Sequence, residues 1–303
     1  MKDGKINNCY QTAYIKRYTL TEGKENGLKV IEIDNGIIRV LLNESKGLDI
    51  MQVFHKGTNI SFVSKNGFTY RETPFFNRFE GGMLYTCGID TMGFRDGCIP
   101  HGTYHNIPAK IISVYSDDEI LRVVGEIQDS ALYGKNLMMT RTITVYINTG
   151  KVALHDTLVN NGTKEEDYCI LYHTNLGYPM LDKGVKIIQD VCDVEPTNDI
   201  AENNLATYTT FNDAIVNGGE ACYYMHNNTN SVSVVNEKLG KKFTLSYSKE
   251  TLPLLLQWHS AVAGDYALGI EPCTSKLGNN IEFCKIAPDK KVEFDLIIEM
   301  EEI

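Results

Sequence analysis

The sequence predicts an all-β chain, a large antiparallel β-sandwich built as one domain over residues 1–303. Three observations carry that prediction. Short apolar or alternating runs, each bounded by turn residues, recur along the chain. Helical periodicity is almost absent. No linker-like, repeated or low-complexity segment interrupts the strands, and 303 residues with 43% apolar side chains suffice for one extended core.

The elements follow in order. Leu28 to Ile33 and Ile37 to Leu42 flank Asp34-Asn35-Gly36, an Asn-Gly hairpin whose turn residues tolerate the positive φ it needs. Leu48 to His55, ended by Lys56-Gly57, continues the meander towards Ile60 to Val63. Further strands are predicted at Lys110 to Tyr115, Ile120 to Gln128, Leu137 to Ile147 and Lys151 to Asn160, separated by Asp-, Asn- and Gly-rich turns. In the third of these, Thr140, Thr142, Thr144 and Tyr146 alternate with Arg141, Ile143, Val145 and Ile147, the period of a sheet with two unlike faces. Later strands are Asp167 to His173, Val185 to Val194, Ala221 to Met225, Ser231 to Asn236, Lys242 to Ser248, Leu252 to Ser260, Tyr266 to Glu271 and Lys291 to Glu299. The best short helix lies at Asn203 to Asp213. Two long connections, residues 64–108 and 195–220, are the expected carriers of function.

Bulk properties exclude several classes. A net charge of −10 and a pI near 5.2 argue against nucleic acid or an anionic membrane as partner, since phosphate contacts need a positive face. No window has the length of apolar sequence that spans a bilayer, and the first residues lack a secretory apolar run, so the expected compartment is the cytoplasm. The eight cysteines form no Cys-x-x-Cys pair, and reduced thiols are expected in place of a disulfide framework or zinc knuckle. Nothing here argues against a homodimer.

The residues that resist a packing explanation are few. Glycines 81, 82, 88, 93, 97 and 102 crowd one segment, letting backbone approach a ligand or turn at positive φ. In that segment Arg78 offers a planar fork of donors, with an ion pair to Glu80 as its plain alternative. His101 stands in Ile99-Pro100-His101-Gly102, and His105 follows; His101, His105 and His173 were a conceivable metal set, but the glycine-proline setting is loop and no acidic partner lies nearby in sequence. His173 closes the apolar run Tyr168-Cys169-Ile170-Leu171-Tyr172 and opens Thr174-Asn175-Leu176-Gly177-Tyr178-Pro179. Glu271 ends the strand Tyr266-Ala267-Leu268-Gly269-Ile270, where a carboxylate is costly to bury and where burial would raise its pKa towards that of a useful base. Gln257-Trp258-His259 holds the only tryptophan, whose face suits the apolar side of a sugar ring or plain core packing.

Together these segments resemble the aldose 1-epimerase (galactose mutarotase-like) superfamily, and within it the DUF4432 branch. The resemblance rests on Arg78 to Asp90, Pro100-His101-Gly102 with Asn106-Ile107-Pro108-Ala109, His173 to Pro179, and Gln257-Trp258 with Asp265 to Pro272. It implies a β-sandwich whose concave face holds a small-molecule carbohydrate, an isomerase that interconverts anomers, and no metal or other cofactor. It assigns Glu271 as general base and His173 as general acid, with Arg78 and His101 binding and polarising the substrate; Gln257 and Trp258 are placed with the substrate-binding residues. Relatives in the branch often carry arginine after His-Gly, where this chain has Thr103. For the aspartate with which mutarotases hold a sugar hydroxyl, the candidates are Asp193 and Glu195. The alternative is a carbohydrate-binding or sensing protein that keeps the cleft without the chemistry.

Overall fold

Strands that alternate apolar and polar residues can bury one face only by stacking on another sheet. The computed structural model, which describes residues 4–71 and 73–303, solves this with antiparallel sheets of five, eight and seven strands. The five-stranded sheet is the N-terminal meander from Tyr14–Thr19 to Thr58–Asn59, and it contains the Asn-Gly hairpin: Gly36 has φ +83°, and the Asn35 side chain accepts from the amides of Ile37 and Ile38. The eight-stranded sheet runs Lys186–Ile188, Ser231–Asn236, Lys241–Tyr247, Lys291–Glu302, Lys151–Asn160, Asn136–Tyr146, Ile120–Ser130, Lys110–Ser116. The seven-stranded sheet runs Val191–Pro196, Glu220–Asn227, Leu254–Val262, Asp265–Cys273, Glu166–Gly177, with Cys284–Ile286 and Leu84–Ile89 also paired to the last of these.

Three adjacent strands differ from the alternating ones, for Leu84–Ile89 is buried throughout and Asp265–Cys273 from Ala267 onward, and Glu166–Gly177 lies between them. Lys151–Asn160 buries every second residue, as a strand with one solvated face should, but Glu166–Gly177 is buried without a break from Tyr168 to Gly177. Its even-numbered residues Tyr168, Ile170, Tyr172 and Leu176 enter the main core. Its odd-numbered residues Cys169 and Leu171 enter a second, smaller apolar cluster with Tyr85, Cys87, Met92, Tyr224, Leu256 and Cys273. That second face carries the site.

The main core also holds charge. Arg141 is fully buried, donating from Nε and Nη2 to Asp156 (2.9 and 2.7 Å), from Nη2 to Thr86 Oγ1 (3.0 Å), and from Nη1 to the Gly47 carbonyl (3.0 Å) and to Asp49. Tyr172 donates to Asp156 at 2.8 Å. Asp49 meets His105 at 2.6 Å, His105 meets Glu80 at 3.2 Å, and Glu80 meets Lys46 at 3.0 Å. Burial pushes the Asp49 and Glu80 carboxyls upward, but Arg141 and His105 outweigh it for Asp49, as His105 and Lys46 do for Glu80, and both stay below the usual carboxylate range.

Several predicted elements are revised. The run Val185 to Val194 is two strands: the chain leaves the eight-stranded sheet after Ile188 and joins the seven-stranded one at Val191. The helix expected at 203–213 instead spans Asp199–Asn203, because Asn198 caps it by accepting from the Ala201 amide and Asn204 ends it; turns follow to Tyr208 and Thr209. The long connection 64–108 contains the strand Leu84–Ile89. Strands at Tyr14–Thr19 and Cys284–Ile286 were not foreseen. All eight cysteines are free, with Cys87, Cys169 and Cys273 buried. Among the described residues no helix is long and apolar enough to cross a membrane.

Replacing Arg141 by Met leaves Asp49 and Asp156 buried without their cation. We expect a loss of about 3–5 kcal/mol in urea unfolding; a loss below about 1 kcal/mol would mean the network carries little of the fold.

Candidate active site

The register of the seven-stranded sheet places one residue from each of six strands in a row across its second face. Glu195 pairs with Tyr224, Tyr224 with Leu256, and Leu256 with Glu271. The pairs Leu171–Cys273 and Thr174–Ile270 then set His173 opposite Glu271, and His173 pairs with Tyr85. Directly opposed residues on antiparallel strands share a face, so two groups nearly a hundred positions apart become neighbours by pairing alone. His173 Nε2 lies 3.3 Å from Glu271 Oε1.

Gly269 makes room for this. The Glu271 side chain folds back along its own strand, and a Cβ at position 269 would stand 2.2 Å from Glu271 Oε1. Only glycine leaves that space. Gly102 has a comparable role for His101. It has φ +81°, and a Cβ there would stand 2.3 Å from the Gly88 carbonyl. His101 itself sits at φ +61°, pinned by its amide to the Gly93 carbonyl (2.9 Å) and by its carbonyl to the Gly88 amide (3.0 Å). Its Nδ1 lies 3.2 Å from Cys87 Sγ, and its ring centre lies 5.8 Å from that of His173.

Aromatic rings close the face. Phe79 and Trp258 each approach the His173 ring at 5.5 Å, and Phe75 stacks on His101 at 4.9 Å. Phe75 and Arg78 belong to the single-turn helix Phe75–Arg78. Arg78 is buried there and is not paired with Glu80, which is engaged by Lys46 and His105; its charge is felt instead by Tyr85. Buried polar atoms are normally satisfied, yet here Arg78 Nε, Tyr85 OH, His173 Nδ1 and Glu271 Oε1 all lack a hydrogen-bond partner. Such a cluster of unsatisfied donors and acceptors around one apolar-rimmed face is what a polyhydroxylated ligand would complete.

The electrostatics set the two central groups against each other. Burial, reinforced by the Glu220 carboxylate, raises the Glu271 carboxyl well above its ordinary value. Burial, reinforced by His101, holds the His173 imidazole well below its ordinary value, with the Asn175 amide opposing. His101 is held at about 4 by burial. Both shifts favour the uncharged form, the carboxylic acid for Glu271 and the neutral imidazole for His173. Opposed shifts of this kind mark acid and base partners.

The structure thus gathers Arg78, His101, His173, Glu271 and Trp258, whose Nε1 donates to Glu220 at 2.8 Å. It does not bring Gln257 with them. Gln257 pairs with Ile270 and Tyr223, one residue out of phase with Trp258, and so points into the main core, where it is fully buried between Gln189 and His259. His105 is turned away as well, its two ring nitrogens facing Asp49 and Glu80. Of the two candidates for a hydroxyl-binding carboxylate, Asp193 is exposed, while Glu195 lies at the end of the row that contains Glu271, in an ion pair with Lys276 at 2.6 Å. Phe79, Tyr85 and Cys87 were missed as individual site residues. The signal for the last two was their alternation within Leu84–Ile89, once that run is read as a strand.

This sandwich, with a histidine and a glutamate opposed on one face, has the galactose mutarotase-like fold. A Klebsiella pneumoniae structure described as a putative aldose 1-epimerase superposes with a TM-score of 0.86 at 23% identity, covering 94% of this chain and 83% of that one. A galactose mutarotase-like protein from Clostridium acetobutylicum gives 0.71 at 16% identity, over 97% of this chain and all of that one (100%). A putative mutarotase from Salmonella typhimurium gives 0.68 at 12% identity, over 95% and 94%. At these identities the likeness is one of fold. No curated protein matches the sequence. The chain belongs to the family described as "Domain of unknown function (DUF4432)", whose sequence model matches residues 25–298.

Gly269→Ala is the least invasive test of the geometry. The added methyl must displace the Glu271 carboxylate, and a displacement of about 1 Å costs on the order of 10²-fold in rate. We expect a folded protein with that loss in any reaction that depends on the Glu271 carboxylate; unchanged turnover would show that the carboxylate need not lie where it does.

Proposed function

We propose that this protein is an isomerase of the aldose 1-epimerase type, interconverting the anomers of an aldose or sugar derivative by acid–base ring opening. The observation that supports this best is the His173–Glu271 pair, 3.3 Å apart on a buried, aromatic-rimmed face, with pKa values driven in opposite directions. Ring opening needs a base at the anomeric hydroxyl and an acid at the ring oxygen. Closure needs the same two groups in reversed roles.

A pair that always holds one proton meets both needs. With Glu271 as carboxylate and His173 as imidazolium, Glu271 takes the proton from the anomeric oxygen while His173 gives its proton to the ring oxygen, and the C1–ring-oxygen bond breaks. The products are the open aldehyde, the carboxylic acid and the neutral imidazole. These uncharged side-chain forms are the ones that burial favours. After rotation about C1–C2, neutral His173 takes back the proton from the chain hydroxyl, Glu271 returns its proton to the aldehyde oxygen, and the other anomer closes. The two tautomers differ by one proton passed between neighbouring atoms. Each positioned acid or base of this kind contributes about 10²–10⁴-fold. Arg78, whose Nε has no hydrogen-bond partner, and His101 would hold hydroxyls and stabilise charge developing on oxygen. Trp258 and Phe79 offer ring faces to the apolar side of a pyranose. Every step uses side chains of this chain alone.

Polarimetry or exchange NMR on a panel of α-anomers tests the assignment. Equilibration above the buffer rate is expected for at least one aldose, falling by about 10²-fold or more in Glu271→Gln; full activity in that variant would overturn the role of Glu271. Saturable sugar binding with no exchange would identify a sensor. The pH profile carries a sign. His173 is shifted down from 6.5, so the acid limb of kcat/KM must lie below that value; Glu271 is shifted up from 4.5, so the alkaline limb lies well above 4.5. An acid limb at or above pH 6.5 would contradict the proposed pair.

A further inference from the structure

The motif Asn106-Ile107-Pro108-Ala109 takes no part in the catalytic face. It follows His105, and its residues Asn106, Pro108 and Ala109 form one wall of a cavity of about 420 Å³. Lys29, Lys46 and Arg71 are among the side chains of the other walls. None of the residues that line it belongs to the row containing His173 and Glu271.

The charge in this cavity is not balanced. Among the described residues its one carboxylate is Glu44, which is already held by Nε and Nη2 of Arg17 at 2.9–3.1 Å. Lys46 is only 5% exposed and uses one of its three donors on Glu80. Among the described residues, the side chains of Lys29 and Arg71 have no hydrogen-bond or ion-pair partner. Two cations without a described partner, Lys29 and Arg71, therefore line one cavity together with the Glu80-paired Lys46, in a chain whose net charge is −10. An acidic protein has no general reason to concentrate unmatched cations in a concavity.

We propose that this cavity is a second binding site, separate from the catalytic face, for a small molecule that bears a phosphate group. A phosphate monoester carries about −1.5 to −2 charges near neutrality, which matches the excess of cations better than a single carboxylate does. The Arg71 fork can engage two of its oxygens, while the lysines act as point charges. The cavity is much larger than a phosphate ion and falls within the roughly 300–1,000 Å³ of small-molecule sites; Tyr70 and Pro108 provide apolar wall for the rest of the ligand. Occupancy would reach the catalytic face along two routes. Arg71 lies on the connection that leads into the Phe75–Arg78 helix, and Lys46 leads through Glu80 and His105 to Tyr85, on which His105 stacks at 3.8 Å. The site stands whether or not the epimerase reading does.

Isothermal titration calorimetry with inorganic phosphate, at constant ionic strength in chloride, tests the proposal. Acetate serves as the carboxylate control. Saturable phosphate binding is expected, weakened at least about tenfold in the Lys29→Ala/Arg71→Ala double variant and unchanged in Glu271→Gln. Both replaced side chains are exposed, so the double variant keeps its core. Absence of saturable phosphate binding, or equal binding by the double variant, would overturn the site. Loss of binding in Glu271→Gln would move the anion to the catalytic face and overturn it equally. Acetate binding as tight as phosphate would overturn the phosphate assignment.

Discussion

The site depends on adjacent strands that have no solvent face, Glu166–Gly177 and Asp265–Cys273. Glu166–Gly177 packs its even-numbered side chains into the core between the sheets and its odd-numbered ones into a second buried cluster. A polar side chain on the second face is thereby desolvated without being part of the main core. His173 is that side chain, and the neighbouring strand sets Glu271 beside it. Desolvation then drives the two pKa values apart, as burial always disfavours the charged form of each group. Had the two strands each kept a solvated face like that of Lys151–Asn160, with His173 and Glu271 on it, neither group would be desolvated.

The cost of such an arrangement is borne by its surroundings. Unpaired buried donors and acceptors, a glycine held at 269 to leave room for a carboxylate, and a histidine at positive φ all work against stability. Beneath the face, the Arg141–Asp156–Asp49 network ties the eight-stranded sheet to the N-terminal meander, and Tyr172 joins it from the even-numbered side of the central strand. The same strand therefore anchors a satisfied polar network on one side and presents an unsatisfied one on the other.

Much of this was legible in the sequence, because sheets are written in period two. The strands, the Asn-Gly hairpin and the isolated positions of His101, His173 and Glu271 all followed from alternation and turn chemistry. What escaped was phase and distance. Gln257 and Trp258 are adjacent in sequence but point to opposite faces, so only pairing registers could tell which one meets the ligand. Val185 to Val194 reads as one apolar run, and nothing in its composition marks the point where the chain changes sheets. Arg141 did give a sign, standing in the apolar phase of its strand with Ile143 and Val145; its partners Asp49 and Asp156 lie on other strands, and their convergence is a property of the fold.

The central claim is that a sugar is held with its anomeric carbon between Glu271 and His173. A crystal structure of Glu271→Gln soaked with an aldose tests it most directly. The account predicts C1 between residue 271 and His173, with the ring oxygen towards the imidazole, hydroxyls on Arg78 and His101, and the apolar side of the ring against Trp258. A sugar bound elsewhere, with none at His173 and residue 271, would contradict it.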